Sequence, residues 1–510
     1  MPTSDPLVIA VDASTTAAKA VIVDAGGQVL ATGKQEIDLQ VPGVGRYEHD
    51  PHQWWTATTA AVTESLGGVG QGEQRRIAAI CLTHQRETFV ALDRDGAAIR
   101  PAILWLDSRA AEQIRRIGSD EIHQLSGKPA DTTPALYKMA WLSENEPEVF
   151  ARAARVVDVH AYLSHRLTGR WVSSTASADS LSLFDIAAGD YAPSLLELAG
   201  VAREQLPDLA EPGTMIGQVD RQVLADWGLT QDLPLVAGLG DGQAAGLGTA
   251  AITPETAYLN VGTSIVAGVH SPDVRFARSY RTLVAGIPGT YVLEAVQNSG
   301  SHLTNWFRQE FGDPARGGRV DPALEDAAAA VPPGAEGLLT LPYWNAVQSP
   351  HWDPLARGVM FGFTGQHTRA HAYRSILEGT GYELRQNLAG LAQGTGTPLT
   401  TLRSTGGGSR SGLWAQILAD ITGLPIVASS VTEVSAQGAA MVAMAATGVH
   451  GKGDIAAAAA AMSSADRTVE PDADRHTRYA EIAAVQAELY PRLAGLFEEL
   501  HEGTVQDPSS

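Results

Sequence analysis

Residues 12–16, DASTT, follow an apolar run and are built from small side chains and hydroxyls. A turn of that kind lets backbone N–H groups approach a phosphate. Thr15 and Thr16 add hydroxyl donors and Lys19 adds positive charge. A carboxylate at Asp12 suits Mg²⁺, held directly or through water. The same five residues also make an ordinary tight hairpin, which so short a string favours when read by itself. Asp241 stands at the end of a second apolar run, in GLGDGQAAGLG, with Gly240 and Gly242 on either side. A carboxylate on backbone that can be approached closely suits a general base acting on a hydroxyl. It equally suits a helix N-cap, because Gly-Gln-Ala-Ala begins a plausible helix. In THQRETF the long polar residues Gln85, Arg86 and Glu87 interrupt two apolar runs. An Arg-Glu pair offers donors and acceptors side by side for vicinal hydroxyls. The competing reading is a surface salt bridge on a hairpin. Trp105, in ILWLDSR, offers an aromatic face to the C–H side of a polyol, or simply packs in a core. TGGGSRSGLWAQILAD places three glycines before a helix, where a flat ring or a phosphate can lie on backbone. The 14 histidines are scattered and show no paired metal spacing.

These groups need strands and turns to hold them. Residues 7–11 (LVIAV) and 20–24 (AVIVD) read as two strands around the DASTT loop, a hairpin rather than a βαβ unit. Residues 257–261 (AYLNV) and 265–269 (IVAGV) repeat the arrangement around Gly262-Thr263-Ser264, which points to an internal duplication. Further strands are expected at residues 77–82, 88–93 and 235–239. Helices are expected at 51–65, 136–144, 372–391, 413–422, 437–446 and 472–501. The division between halves falls near residues 248–254. Residues 316–330 and 448–466, rich in Gly and Ala, read as helix-and-loop excursions.

Composition narrows the classes. The 510 residues are 44% hydrophobic and 18% charged, enough for several buried cores. The charge balance, 36 basic against 57 acidic residues, gives −21. So acidic a chain is expected to avoid nucleic acid and anionic membrane surfaces. Its one cysteine, Cys81, excludes an intrachain disulfide and a cysteine-based zinc site. The N-terminus has no basic, leader-like start, and no uncharged apolar stretch approaches the ~18 residues of a membrane span. A soluble, cytoplasmic, multidomain protein is expected. GxxxxGK[ST] is absent, and Gly238-Leu239-Gly240 lacks the third glycine of a dinucleotide fingerprint.

Taken together, the motifs resemble the FGGY family of carbohydrate kinases. DASTTAAK resembles the family's first phosphate loop, with Ser14 where glycine is usual. GRYEHDPHQWW, PAILWLDSRA, YKMAWL, HRLTGRWV, VAGLGDGQAAGLG, LNVGTS, WDPLARGVMFGF, GGGSRSGLWAQILAD and SAQGAAMVA fall in the family's order over nearly the whole chain. The resemblance implies an α/β fold of two duplicated actin-like (ribonuclease H-like) ATPase domains with a central cleft. Residues 1–248 would form the N-terminal domain and 249–450 the C-terminal one, with a helical tail, 451–510, packed on the latter. It implies ATP and Mg²⁺ as cofactors, with Asp241 as the catalytic base and Asp12 as the metal-associated carboxylate. Thr15, Thr16 and Lys19, then Gly262 and Thr263, then Gly407 and Ser411, would meet the nucleotide. Arg86, Glu87, Trp105, Asp241 and Gln243 would meet the acceptor. That acceptor is a small sugar or polyol, phosphorylated on a primary hydroxyl. The flanks favour xylulose narrowly, while QRET and EHDP resemble glycerol kinase and keep glycerol or a tetritol open. A homodimer is a further open expectation. The alternative from another class is an actin-like ATPase or a nucleotide-gated binding protein, which would not need Asp241 beside a polar strand-end cluster.

Overall fold

The computed structural model describes residues 5–312 and 321–505, with side chains to residue 502. Of residues 316–330, the first five lie outside the described residues; Pro322–Ala330 is a helix.

Two mixed sheets carry the chain. The first holds β1 (Leu7–Ala13), β2 (Ala17–Val23), β3 (Val29–Glu36), β4 (Ile77–His84), β5 (Met215–Gln218) and β6 (Pro234–Gly240), in the order β5-β6-β4-β1-β2-β3. The second holds β7 (Thr256–Val261), β8 (Ile265–Ser271), β9 (Arg281–Val284), β10 (Tyr291–Gln297), β11 (Thr401–Thr405), β12 (Ile426–Ser429) and β13 (Ala465–Val469), in the order β9-β10-β8-β7-β11-β12-β13. In both, an antiparallel three-strand meander is extended by two parallel strands and closed by one antiparallel edge strand. The duplication expected from two short hairpins therefore extends to six strands a side. Only β9, outside the meander, has no counterpart in the first sheet.

Both faces of the first sheet are apolar, and period-2 alternation divides the residues between them. Leu7, Ile9, Val11, Ile80 and Leu82 point to one face, where Trp54, Ala61 and Val62 of α1 (Pro51–Gly67) cover them. Val8, Ala10, Val21, Ala79 and Cys81 point to the other. That face is covered by α5 (Val434–Thr447), a helix from the second half of the chain, with α2 (Asp241–Gly248) beside it. The α2 and α5 backbones nearly touch. A Cβ at Gly438 would lie 2.0 Å from the Ala244 carbonyl oxygen, so only glycine fits. The second sheet buries its inner face against α3 (Arg369–Thr395) and α4 (Gly412–Thr422).

The C-terminal segment divides. Ala473–Ala487 and Leu489–Val505 lie on the second-domain side, where Tyr479, Leu489 and Phe497 join its core. The helix Ile455–Met462 instead buries Ile455, Ala458, Ala459 and Met462 in the cluster on the first sheet, because its apolar face continues that of α5. The tail from residue 451 thus does not pack on the C-terminal domain alone. Among the described residues, no helix is long and apolar enough to cross a membrane.

Candidate active site

Asp241 is the first residue of α2, and Gly240 holds the N-cap position. The N-cap reading therefore fails for Asp241 itself. One carboxylate oxygen, Oδ1, accepts from its neighbour Gly242 N at 2.8 Å and pairs with Arg86 Nε at 3.0 Å. The side chain is 38% exposed and lines a cavity of about 680 Å³ between the two sheets. The flanking glycines have a specific use. A Cβ at Gly240 would lie 2.5 Å from Arg86 Cγ, and one at Gly242 2.6 Å from Arg86 Nη2. The group that approaches this backbone closely is the arginine of the other motif.

Arg86 and Glu87 occupy the passage between two sheets, not a surface hairpin. After β4 the chain turns, then Phe89–Leu92 joins a separate five-stranded sheet with Gln40–Gly43, Arg46–His49, Ala102–Ile103 and Arg155–Asp158. Glu87 takes a left-handed backbone, φ 58°, at this turn. Both side chains are buried yet line the cavity. Arg86 Nη1 donates to Glu294 Oε1 at 3.1 Å, and Glu87 Oε1 accepts from Arg281 Nη1 at 2.6 Å. Trp105 lines the same cavity. Its backbone N–H bonds Thr88 Oγ1 at 3.1 Å, and its carbonyl accepts from the buried Lys138 Nζ at 3.2 Å. Burial pulls the Lys138 ammonium down to about 8, against the opposing carboxylates of Glu87, Asp107 and Asp131.

The β1–β2 turn sits beside this cavity without lining it. Ser14 has no positive φ; its N–H and hydroxyl both bond the Ala17 carbonyl, so the usual glycine is not needed. Thr15 Oγ1 accepts from Trp105 Nε1, Thr16 is exposed, and Lys19 Nζ pairs with Glu433 Oε2 at 2.6 Å. Asp12 is buried, and its Oδ1 has no hydrogen-bond partner among the described residues. Burial, then the nearby Asp241 carboxylate, push Asp12 up to about 7, with Lys19 opposing. A buried, unpartnered carboxylate oxygen facing a second carboxylate fits a cation. Among the described residues there is no cluster of three or more metal-ligating side chains. The Asp12 oxygen is the kind of ligand Mg²⁺ uses, since that ion takes one or two carboxylates and completes its shell with phosphate and water.

On the opposite wall, the β7–β8 turn places Thr263 in the cavity, while the Gly262 carbonyl accepts from Ser301 N at 2.8 Å. A second cavity of about 580 Å³ is lined by Thr405, Gly407, Ser409, Arg410 and Ser430. Gly406 brings the two cavities together: φ is 91°, and a Cβ there would lie 2.6 Å from Asn260 Oδ1, a side chain of the first cavity.

Residues 7–248 match the N-terminal domain of the FGGY family of carbohydrate kinases, and residues 257–447 match its C-terminal domain. The chain belongs to the FGGY family of carbohydrate kinases. It is 30% identical to the xylulose kinase of Escherichia coli over 422 residues, 81% of this chain and 84% of that protein. It is also 30% identical to the glycerol kinase of Bordetella parapertussis over 489 residues, 92% of this chain and 94% of that protein. Its fold superposes on the ligand-bound xylulose kinase from Lactobacillus acidophilus with a TM-score of 0.91, at 26% identity, covering 97% of this chain and 100% of that one. An FGGY kinase is a phosphotransferase acting on a sugar or polyol.

Two of the side chains expected to meet ligands in this FGGY kinase line neither cavity. Gln243 is buried behind Arg86, with Nε2 on the Ala176 carbonyl at 3.1 Å, and does not line the cavity. Its Oε1 accepts from Arg86 Nη1 at 3.5 Å. Ser411 caps α4, accepting from Trp414 N at 3.1 Å and donating to Glu325 at 3.1 Å, outside the second cavity. The motif reading also missed the second domain's share of the cavity beside Asp241: Arg281, Asn298, His302, Asn345 and Gln348. Arg281 opens the strand Arg281–Val284, so its charge stands at a strand end and not within an apolar run.

Proposed function

We propose that this protein transfers the γ-phosphoryl group of ATP to a primary hydroxyl of a small neutral sugar or polyol, with Asp241 as general base. The observation that carries the reading is the carboxylate of Asp241, fixed through Oδ1 by Arg86 and Gly242 N, in a cavity that Arg86, Glu87, Trp105 and Thr263 also line. Asp241 takes the proton of the attacking hydroxyl as its oxygen bonds to phosphorus and ADP leaves. Arg86 and Glu87 meet adjacent hydroxyls, and Trp105 lies against the carbon chain. Asp12, the β1–β2 turn with Lys19, and Gly262-Thr263 would hold the magnesium–nucleotide complex, whose metal neutralises phosphate charge. The cavity beyond Gly406, with Gly407, is the place for the nucleoside.

A neutral acceptor is favoured over an acidic one by charge. The two cavity guanidiniums are already matched by three carboxylates: Arg86 by Asp241 and Glu294, and Arg281 by Glu87 and Glu294. Asn298, Asn345 and Gln348 extend the polar lining of the cavity, which supports a five-carbon acceptor, with xylulose first. A second reading, glycerol or a tetritol, is favoured by the Arg86–Glu87 pair beside Trp105. A coupled ADP assay over three- to six-carbon sugars and polyols tests both. ATP turnover that no acceptor stimulates would return the protein to the class of nucleotide-gated switches.

A further inference from the structure

The two residues expected to grip the acceptor are themselves held by the other domain. Arg281 and Glu294 are register partners across β9 and β10. Glu294 is fully buried and is the shared acceptor for three donors: Arg86 Nη1 at 3.1 Å, Arg281 Nε at 2.7 Å, and the hydroxyl of Tyr258. Arg281 then reaches back across the interface to Glu87 Oε1 at 2.6 Å. The result is one continuous polar chain, Asp241–Arg86–Glu294–Arg281–Glu87, that enters the second domain and returns.

Arg281 is placed by the edge strand that has no counterpart in the first sheet. β9 docks on the first domain: Thr282 N donates to the Gly127 carbonyl at 2.7 Å, and Val284 N to Asp179 Oδ2 at 3.0 Å. Stability alone is a weak reason to keep this chain buried. Desolvating so many charges offsets most of their attraction, and apolar side chains of equal volume often do as well. Glu87 also holds a left-handed backbone, φ 58°, a feature that gathers at sites where geometry matters.

We propose that Arg281 and Glu294 are positioning residues for acceptor recognition: Glu294 aims Arg86, Arg281 aims Glu87, and the hydroxyl-binding pair is complete only when the second domain is seated on the first. The inference rests on the kinase reading above. Burial would raise the Glu294 carboxyl, but Arg86 and Arg281 outweigh it and hold it at about 2, so Glu294 stays ionised near neutral pH.

The test is a double-mutant cycle on the full-length protein, with Arg281→Lys, Glu87→Gln and the double variant, measuring KM for the accepted polyol and for ATP separately. Lysine keeps the charge but loses the planar fork. Arg281→Lys should raise the polyol KM by roughly ten- to a hundredfold, the range for a bond to a charged group, and leave the ATP KM within about twofold. The double variant should fall well short of the product of the two single effects, because Arg281 acts in large part through Glu87. Effects that multiply, or KM values for both substrates that rise together, would make Arg281 merely structural. If Arg281→Lys gives no cooperative melt, Glu294→Gln cycled with Arg86→Lys provides the same readout. A parent protein that phosphorylates no polyol overturns the kinase reading and this inference with it. An active parent whose polyol KM ignores these substitutions overturns the inference alone.

Discussion

The indole N–H of Trp105 donates to the hydroxyl of Thr15 at 2.9 Å. The first residue lines the cavity proposed for the acceptor and the second lies in the turn proposed to meet phosphate, so in that reading one hydrogen bond joins the two substrates' sites. Thr15 Oγ1 continues the link to Gln85 Oε1 at 3.3 Å, immediately before Arg86. Thr15→Val removes the hydroxyl at nearly constant shape. It should raise KM for ATP and for the polyol together, each by roughly three- to tenfold, the scale of one hydrogen bond. Trp105→Phe keeps an aromatic face without the donor and should reproduce the ATP effect. Steady-state kinetics with each substrate varied decide it; an ATP KM untouched by Trp105→Phe would uncouple the sites.

Asp241→Asn retains the acceptor toward Gly242 N but not the base. Turnover should fall by about 10²–10⁴, the range for loss of a general base. ATP binding measured by calorimetry should change little. Turnover within threefold of the parent would move the base to another residue.

Lys19 pairs with Glu433 at the start of α5, about a quarter exposed on each side. If phosphate takes over this ammonium, Lys19→Met should raise the ATP KM by roughly tenfold and leave the polyol KM in place. Glu433→Gln removes the competitor for Lys19 and should not weaken ATP. Equal losses in both variants would mark the pair as a strut between the halves.

Glu383 gives a pH prediction away from the cleft. Burial, opposed by the hydroxyl of Tyr343, pushes its carboxyl from 4.5 up to about 7, and its Oε2 has no partner among the described residues. Between those values the folded chain keeps a proton that the unfolded chain has lost. Stability therefore falls as pH rises through that window. Glu383→Gln should remove this slope, by at most about 3 kcal/mol, so that the variant gains on the parent as pH goes from 5 to 8. Denaturant melts at several pH values would show it; parallel curves would mean the group is solvated.

What the sequence made legible was local. The hairpins around residues 12–16 and 262–264, the strand ending at Asp241 and the polar run at Arg86 and Glu87 are short-range patterns, and each lies where it was expected. Relations set by register were not legible. Arg281 and Glu294 are 13 residues apart, and only the β9–β10 pairing makes them partners. Gln243 and Ser411 stand in matching motifs, but the backbone turns them inward, one behind Arg86 and the other onto a helix end. The position of α5 was hidden for another reason. Its small apolar residues show that it is buried, and nothing local says on which sheet.

That position has a consequence for how the chain can be divided. Residues 7–248 match the family's N-terminal domain, yet one face of their sheet is roofed by Val434–Thr447 and Ile455–Met462. A polypeptide ending at residue 248 would leave Val8, Ala10, Val21 and Val236 open to water and should aggregate; a separately made piece carrying residues 249–510 should rescue it. The protein's sole thiol records the event. Cys81 lies under that roof, buried and with its acidity suppressed by burial, so a thiol reagent should ignore the intact protein and label the severed half at once.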